Sequence, residues 1–172
     1  SPDVARVLDE AAASFAAIGV RVRSVRLPAQ DGLSAAQLVL VASEAASQHS
    51  GMLAAGADYD PQIRNRLRNG LGYSAQDYLR AVRSRGPALR AHLDACEGID
   101  ALLTPVAPFD APTLAETDVG GSPDAESLIQ SISRFMRPAN YLGTPALAFP
   151  AGFSGRGLPV GLQLVGRPFA ER

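Results

Sequence analysis

Lysine is absent from this chain, and all sixteen basic residues are arginine. Schiff-base chemistry and lysine general bases are therefore excluded within it, and arginine is no replacement because its guanidinium stays protonated near neutral pH. Cysteine occurs once, at Cys96, so no internal disulfide can form and the cytoplasm is the expected location. No apolar run approaches the ~18 residues of a membrane span, and residues 1–27 are not expected to act as a secretory segment. Charge of neither sign is in excess: the net charge of -1 gives no pull toward nucleic acid or anionic membranes. Histidine occurs only at His49 and His92, without a spaced cysteine or carboxylate partner, so no metal site and no cofactor are expected.

What is present is enough to make a core. With 172 residues, 47% of them hydrophobic, residues 1–172 are expected to form a single domain that buries roughly 70% of its unfolded surface.

Helical spacing of Val4, Val7, Leu8, Ala11, Phe15 and Ile18 behind Ser1-Pro2 predicts a first helix that stops at Gly19. Val20, Val22 and Val25, interleaved with Arg21, Arg23 and Arg26, then predict a strand closed by Pro28. Gln30-Asp31-Gly32 reads as a loop. Ser34 is the expected cap of a helix through about Gln48 whose apolar face includes Leu38, Val41, Ala42 and Ala45. Asp60-Pro61 starts a shorter helix. Ser74 with Asp77 forms a capping box for a long helix that Gly86-Pro87 should kink or split.

Further strands are expected at 101–104, 146–149 and 160–165, with one helix near 123–137 between the first two. Strands separated by helical crossovers predict an α/β fold with a mostly parallel or mixed sheet of about four strands flanked by helices. The stretch 105–121 reads as an ordered surface loop or a lid. Arg64, Arg66 and Arg68 lack aromatic interleaving and read as a solvated helix face, and Cys96 reads as a small packed hydrophobe.

The segment Arg137-Pro-Ala-Asn140-Tyr-Leu-Gly143-Thr-Pro-Ala-Leu-Ala-Phe-Pro-Ala-Gly152 resembles a stretch of the amidase-signature hydrolases. Gly157-Leu-Pro-Val-Gly161-Leu-Gln-Leu-Val-Gly166 is similar to that family's glycine-rich turn and following strand. Asp100-Ala-Leu-Leu-Thr-Pro105, and Ser43-Glu44-Ala45 with His49, extend the resemblance over nearly the whole chain. The resemblance implies the C-terminal part of an α/β/α amidase fold. In that family a lysine deprotonates a bridging cis-serine, which relays the proton from the nucleophilic serine while backbone amides stabilise the oxyanion. None of those catalytic residues is expected in this chain. Val119-Gly-Gly-Ser122 echoes the family's Gly-Gly-Ser-Ser signature, but Pro123 follows, so Ser122 reads as a helix cap.

The resemblance also singles out substrate-binding positions. Arg85 falls where glutaminase-type members hold the substrate's carboxylate, a task a guanidinium performs bidentately; the alternative is a solvated arginine beside Arg80, Arg83 and Arg90. Ser133 stands where those members carry an acidic residue for the substrate's amino group, and a hydroxyl cannot supply that charge, which argues against glutamine. Apart from the resemblance, Thr104 and Pro105 end a buried strand, where open α/β sheets bind ligands; a structural role is the alternative. Asn140 reads as fixing the backbone before Gly143. The implied activity is hydrolysis of small linear amides by the intact enzyme, with a small-molecule amide as partner and homo-oligomerisation expected. The alternatives are a non-catalytic α/β module that binds a small molecule or a protein, and the glutaminase subunit of a tRNA-dependent amidotransferase.

Overall fold

The computed structural model describes residues 1–29 and 31–171, with only the backbone of Asp31. Helix α1 spans Pro2–Ala17, with the Ser1 hydroxyl accepting from the Val4 amide at 3.4 Å and Asp3 in the first turn, where the helix dipole favours a negative charge. Helices α2 (Asp31–Ala54), α3 (Pro61–Leu71) and α4 (Ala75–Ala95) follow before the first strand. Strand β1 (Leu102–Pro105), helices α5 (Ala125–Ile132) and α6 (Arg137–Leu142), and strands β2 (Ala146–Phe153) and β3 (Pro159–Val165) complete the order.

The three strands form one sheet in the order β1-β3-β2, antiparallel throughout. This corrects the expected parallel or mixed sheet of about four strands. Residues 154–158 between β2 and β3 are too few for a crossover, and a short turn imposes an antiparallel pair. The expected strand at Val20, Val22 and Val25 does not form: residues 20–29 carry no regular structure, and Val20 and Val22 are 48% and 50% exposed. The alternation suits a strand, but no described strand pairs with it. A β-bulge between Pro150 and Gly152 interrupts the β2–β3 ladder.

Strand β3 is buried on both faces. Val160 and Leu162 pack with Val4 and Val7 of α1, flanked by Leu8, Leu103 and Phe149. The alternating set, Gln163 and Val165, faces the other way with its register partners Thr104 and Leu102.

Several helices differ from the periodicity. Helix α2 begins at Asp31, so Asp31 and Gly32 are helical and Ser34 lies inside the helix rather than capping it; Gln30 lies outside the described residues. Its Leu38 and Val41 are exposed, and the buried seam runs instead through Ala46, with Ala42 half-buried. The Ser74–Asp77 capping box is formed in both directions. Helix α4 is not split by Pro87: Arg83 and Pro87 are both exposed, so water can reach the carbonyl that loses its amide partner. The single helix expected near 123–137 is two, α5 and α6, separated by a turn in which the Met136 and Arg137 amides donate to the Ser133 carbonyl. Ser122 is not the cap of α5, which starts after Asp124.

The stretch 106–121 is tied down rather than free. Arg156 Nε and Nη2 donate to the two oxygens of Asp110 at 3.0 and 2.8 Å, and Nη2 also reaches the Ala111 carbonyl. The Thr113 amide and hydroxyl both donate to Glu116 at 2.7 Å.

Candidate functional site

A cavity of about 150 Å³ lies between the Leu102, Thr104 and Val165 face of the sheet and helices α4 and α6. Its polar contributors include Thr104, Thr144 and His92; Phe135 and Ala139 supply apolar wall. Gln163 buttresses the sheet side: its Nε2 lies 3.0 Å from Thr104 Oγ1, 3.0 Å from the Phe135 carbonyl and 3.3 Å from the Pro105 carbonyl. One amide group thus ties β1, β3 and the turn after α5 together. At 4% exposure Gln163 cannot exchange these partners for water.

The helix side is fixed by Tyr141, which is 2% exposed. Its hydroxyl donates to the Ala81 carbonyl and lies 2.7 Å from Ser84 Oγ, fastening α6 to α4. Gly143 ends α6 in the left-handed region at φ 73, a conformation that favours glycine, and its amide donates to the Ala139 carbonyl. Asn140 is exposed and makes no side-chain hydrogen bond among the described residues, so the glycine itself, not Asn140, sets the turn.

Of the residues singled out from sequence, Thr104 lines the cavity. Ser133 ends α5, immediately before the cavity residues Arg134 and Phe135. Arg85 is exposed on α4, and its guanidinium lies over Gly143, next to the cavity residue Thr144: a β-carbon at Gly143 would stand 3.0 Å from Nη2. Arg85 and Ser133 thus adjoin the cavity through their neighbours rather than lining it.

Two further features leave little mark in the sequence. Burial pushes the Arg137 guanidinium below its ordinary value, and the charge of Arg66 pushes it further the same way. Neither guanidinium has a hydrogen bond or ion pair among the described residues. Two cations held near each other without a carboxylate favour an anionic group between them. The Arg64–Arg68 run carries the only hint, but placing Arg66 beside Arg137 needs the α2–α6 and α2–α3 packing. The second feature is His92, which is buried, and whose Nε2 lies 4.0 Å from Cys96 Sγ. Burial lowers the proton affinity of His92 and raises the pKa of the Cys96 thiol, so both are neutral near pH 7. His49 instead bonds Tyr59 through Nδ1 at 2.8 Å.

No helix among the described residues is long and apolar enough to cross a membrane. A sequence model of the family described as Amidase matches residues 1–172. The chain is 32% identical over 198 residues to a glutamyl-tRNA(Gln) amidotransferase subunit from Geobacter sp. (strain M21), covering 99% of this chain and 39% of the relative. It is 28% identical over 155 residues to a fatty acid amide hydrolase of Arabidopsis thaliana, covering 89% of this chain and 26% of that protein. A solved structure described as a crystal structure of amidase superposes with a TM-score of 0.84 at 32% identity, over 99% of this chain and 39% of the other. The chain thus spans well under half the length of these relatives. With a family match over its whole length and the same fold at 32% identity, the chain belongs to the Amidase family.

Proposed function

We propose that the protein to which this chain contributes hydrolyses the carbon–nitrogen bond of a small linear amide, and that the chain supplies part of the sheet and one wall of the substrate pocket. The observation that carries this reading is the family match over residues 1–172, in a chain that contains no lysine. A serine, cis-serine and lysine triad therefore has to come from residues outside it. Thr104, held by Gln163, supplies a polar group of that wall, and Arg85, lying over Gly143, stands beside it. Ser133 carries no charge for a substrate ammonium, which favours a simple amide over glutamine.

The reading also explains apolar side chains that have helical or strand spacing and yet remain exposed. Leu38, Val41, Leu79, Val82, Val20 and Val22 are all exposed, as a surface meant to be covered by more protein would be.

The test pairs this chain with a segment carrying the Gly-Gly-Ser-Ser signature and an upstream lysine, and measures ammonia release from aliphatic and aromatic primary amides. Hydrolysis should need both parts and should vanish when the added lysine is replaced by alanine. Turnover by the 172-residue chain alone, abolished by a substitution inside it, would overturn the proposal.

A further inference from the structure

Nδ1 of His92 and Oγ1 of Thr144 are buried polar atoms with no hydrogen-bond partner among the described residues, and both residues line the same cavity. The two residues are only 7% and 8% exposed, so bulk solvent does not satisfy these atoms. An unpaired buried polar atom forfeits its hydration without a replacement, and two around one void are unfavourable if nothing enters it.

The rest of the lining is chiefly apolar, with Leu102, Phe135, Ala139 and Val165 among it. A void of about 150 Å³ is the size at which an apolar cavity accepts a benzene ring. Arg134 also lines it but is itself exposed. With His92 held neutral by burial, the interior offers an uncharged imidazole and a hydroxyl on an apolar background.

We infer that this cavity is a binding site for a small uncharged molecule whose apolar body is about the size of a benzene ring and which carries a hydroxyl or amide group. Such a group both donates and accepts. It can accept from the Thr144 hydroxyl or donate to it, and it can pair with His92 Nδ1 in either tautomer, whichever the Nε2 contact with Cys96 selects. A carboxylate of the same size is disfavoured, because the buried lining would have to desolvate its charge. The cavity shares Thr104 with the proposed substrate wall, but the binding test reads His92 and Thr144 in a chain without a triad lysine, so its outcome is distinguishable from that of the hydrolysis test.

Phenol is the probe, with benzene and benzoate as controls, titrated into the 172-residue chain labelled with ¹⁵N at histidine. Phenol should bind saturably at millimolar concentration and shift the ring nitrogens of His92 but not those of His49. Benzene and benzoate should each bind about tenfold or more weakly, the loss expected for one buried hydrogen bond or for an uncompensated charge. Thr144→Val, which keeps the side-chain shape, should weaken phenol about tenfold and leave benzene unchanged. Equal affinity for phenol and benzene, or no saturable shift at His92 in the unsubstituted chain, would overturn the inference. The unsubstituted chain gives the decisive readout even if the variant fails to fold.

Discussion

Gln163 and Thr104 face each other across the β1–β3 ladder and are joined by a 3.0 Å hydrogen bond from Gln163 Nε2 to Thr104 Oγ1. The same Nε2 reaches the carbonyl of Phe135, so the pair connects the sheet to the turn between α5 and α6. Gln163→Leu keeps much of the volume but leaves Thr104 and that carbonyl without this donor. It should destabilise the chain by about 1–3 kcal/mol in chemical denaturation. Gln163→Glu should cost more, since its carboxylate would face carbonyl oxygens. A stability unchanged by either substitution would mean that water takes over the bonds.

Helices α2 and α3 meet where Gly70 lies on the backbone of α2. A β-carbon there would overlap the Ala42 carbonyl and come within 2.8 Å of Ala46 Cβ. Backbone cannot swing aside as a flexible side chain can. Gly70→Ala, which would otherwise favour the helix by about 1 kcal/mol, should therefore destabilise the chain by about 1–3 kcal/mol. A rise in melting temperature would show that the helices separate easily.

Local chemistry in the sequence is a good guide wherever its partner is close along the chain. Ser1-Pro2 and the Ser74–Asp77 box cap the predicted helices because capping is completed within four residues. The pattern fails where the outcome depends on distant partners. Val20–Val25 has the alternation of a strand and remains unpaired, and Leu38 and Val41 have helical spacing and remain uncovered. Helices between β1 and β2 suggest a crossover and a parallel pair, whereas both strands lie antiparallel to β3, which sits between them. At the site, Thr104 can be found from its place at a strand end. The Gln163 buttress and the Arg66–Arg137 proximity cannot, since each joins residues at least 28 positions apart.

Arg85 is exposed and lies against Gly143, so its removal should leave folding intact. In a complete enzyme containing this chain, Arg85→Ala should lower kcat/KM about tenfold to a hundredfold, roughly 1.4–3 kcal/mol of transition-state binding, if the guanidinium orients the substrate. Arg66→Ala provides the contrast: it relieves the repulsion on Arg137, and a comparable loss there would move the anion-holding role to that pair. Unchanged kinetics for Arg85→Ala would return Arg85 to the solvated helix face.

The clamp between Asp110 and Arg156 makes the 106–121 stretch sensitive to acid. Hydrogen bonds from Arg156, then from Ser154, hold the Asp110 carboxyl below its ordinary range, and bonds from Thr113 do the same for Glu116. A carboxyl whose folded pKa is depressed contributes stability above its unfolded pKa and loses it as pH falls through the folded value. Amide protection across 106–121 should therefore hold steady from pH 8 to about pH 5 and decline below about pH 4. Arg156→Gln should loosen the stretch already at neutral pH and flatten the acid dependence. Protection that is insensitive to both changes would place the anchoring elsewhere.

The chain by itself should associate through β2. That strand lies at the edge of the sheet, contains no charged residue, and leaves Leu147 and Phe153 65% and 66% exposed. Strand β3 is equally free of charge, but it is central and its backbone groups are paired on both sides, so it offers no edge. An uncharged edge with unpaired amides and carbonyls is a template for another strand, and the exposed Val20 and Val22 add further apolar surface. Pro150 blunts the edge locally without removing it. Sedimentation over a concentration series should show dimers or larger species that recede on dilution, and Leu147→Lys should shift the population toward monomer by placing like charges opposite one another. A monodisperse monomer at high concentration, with little binding of a hydrophobic dye, would mean that the chain is self-contained, and would favour a binding module over one part of a larger hydrolase.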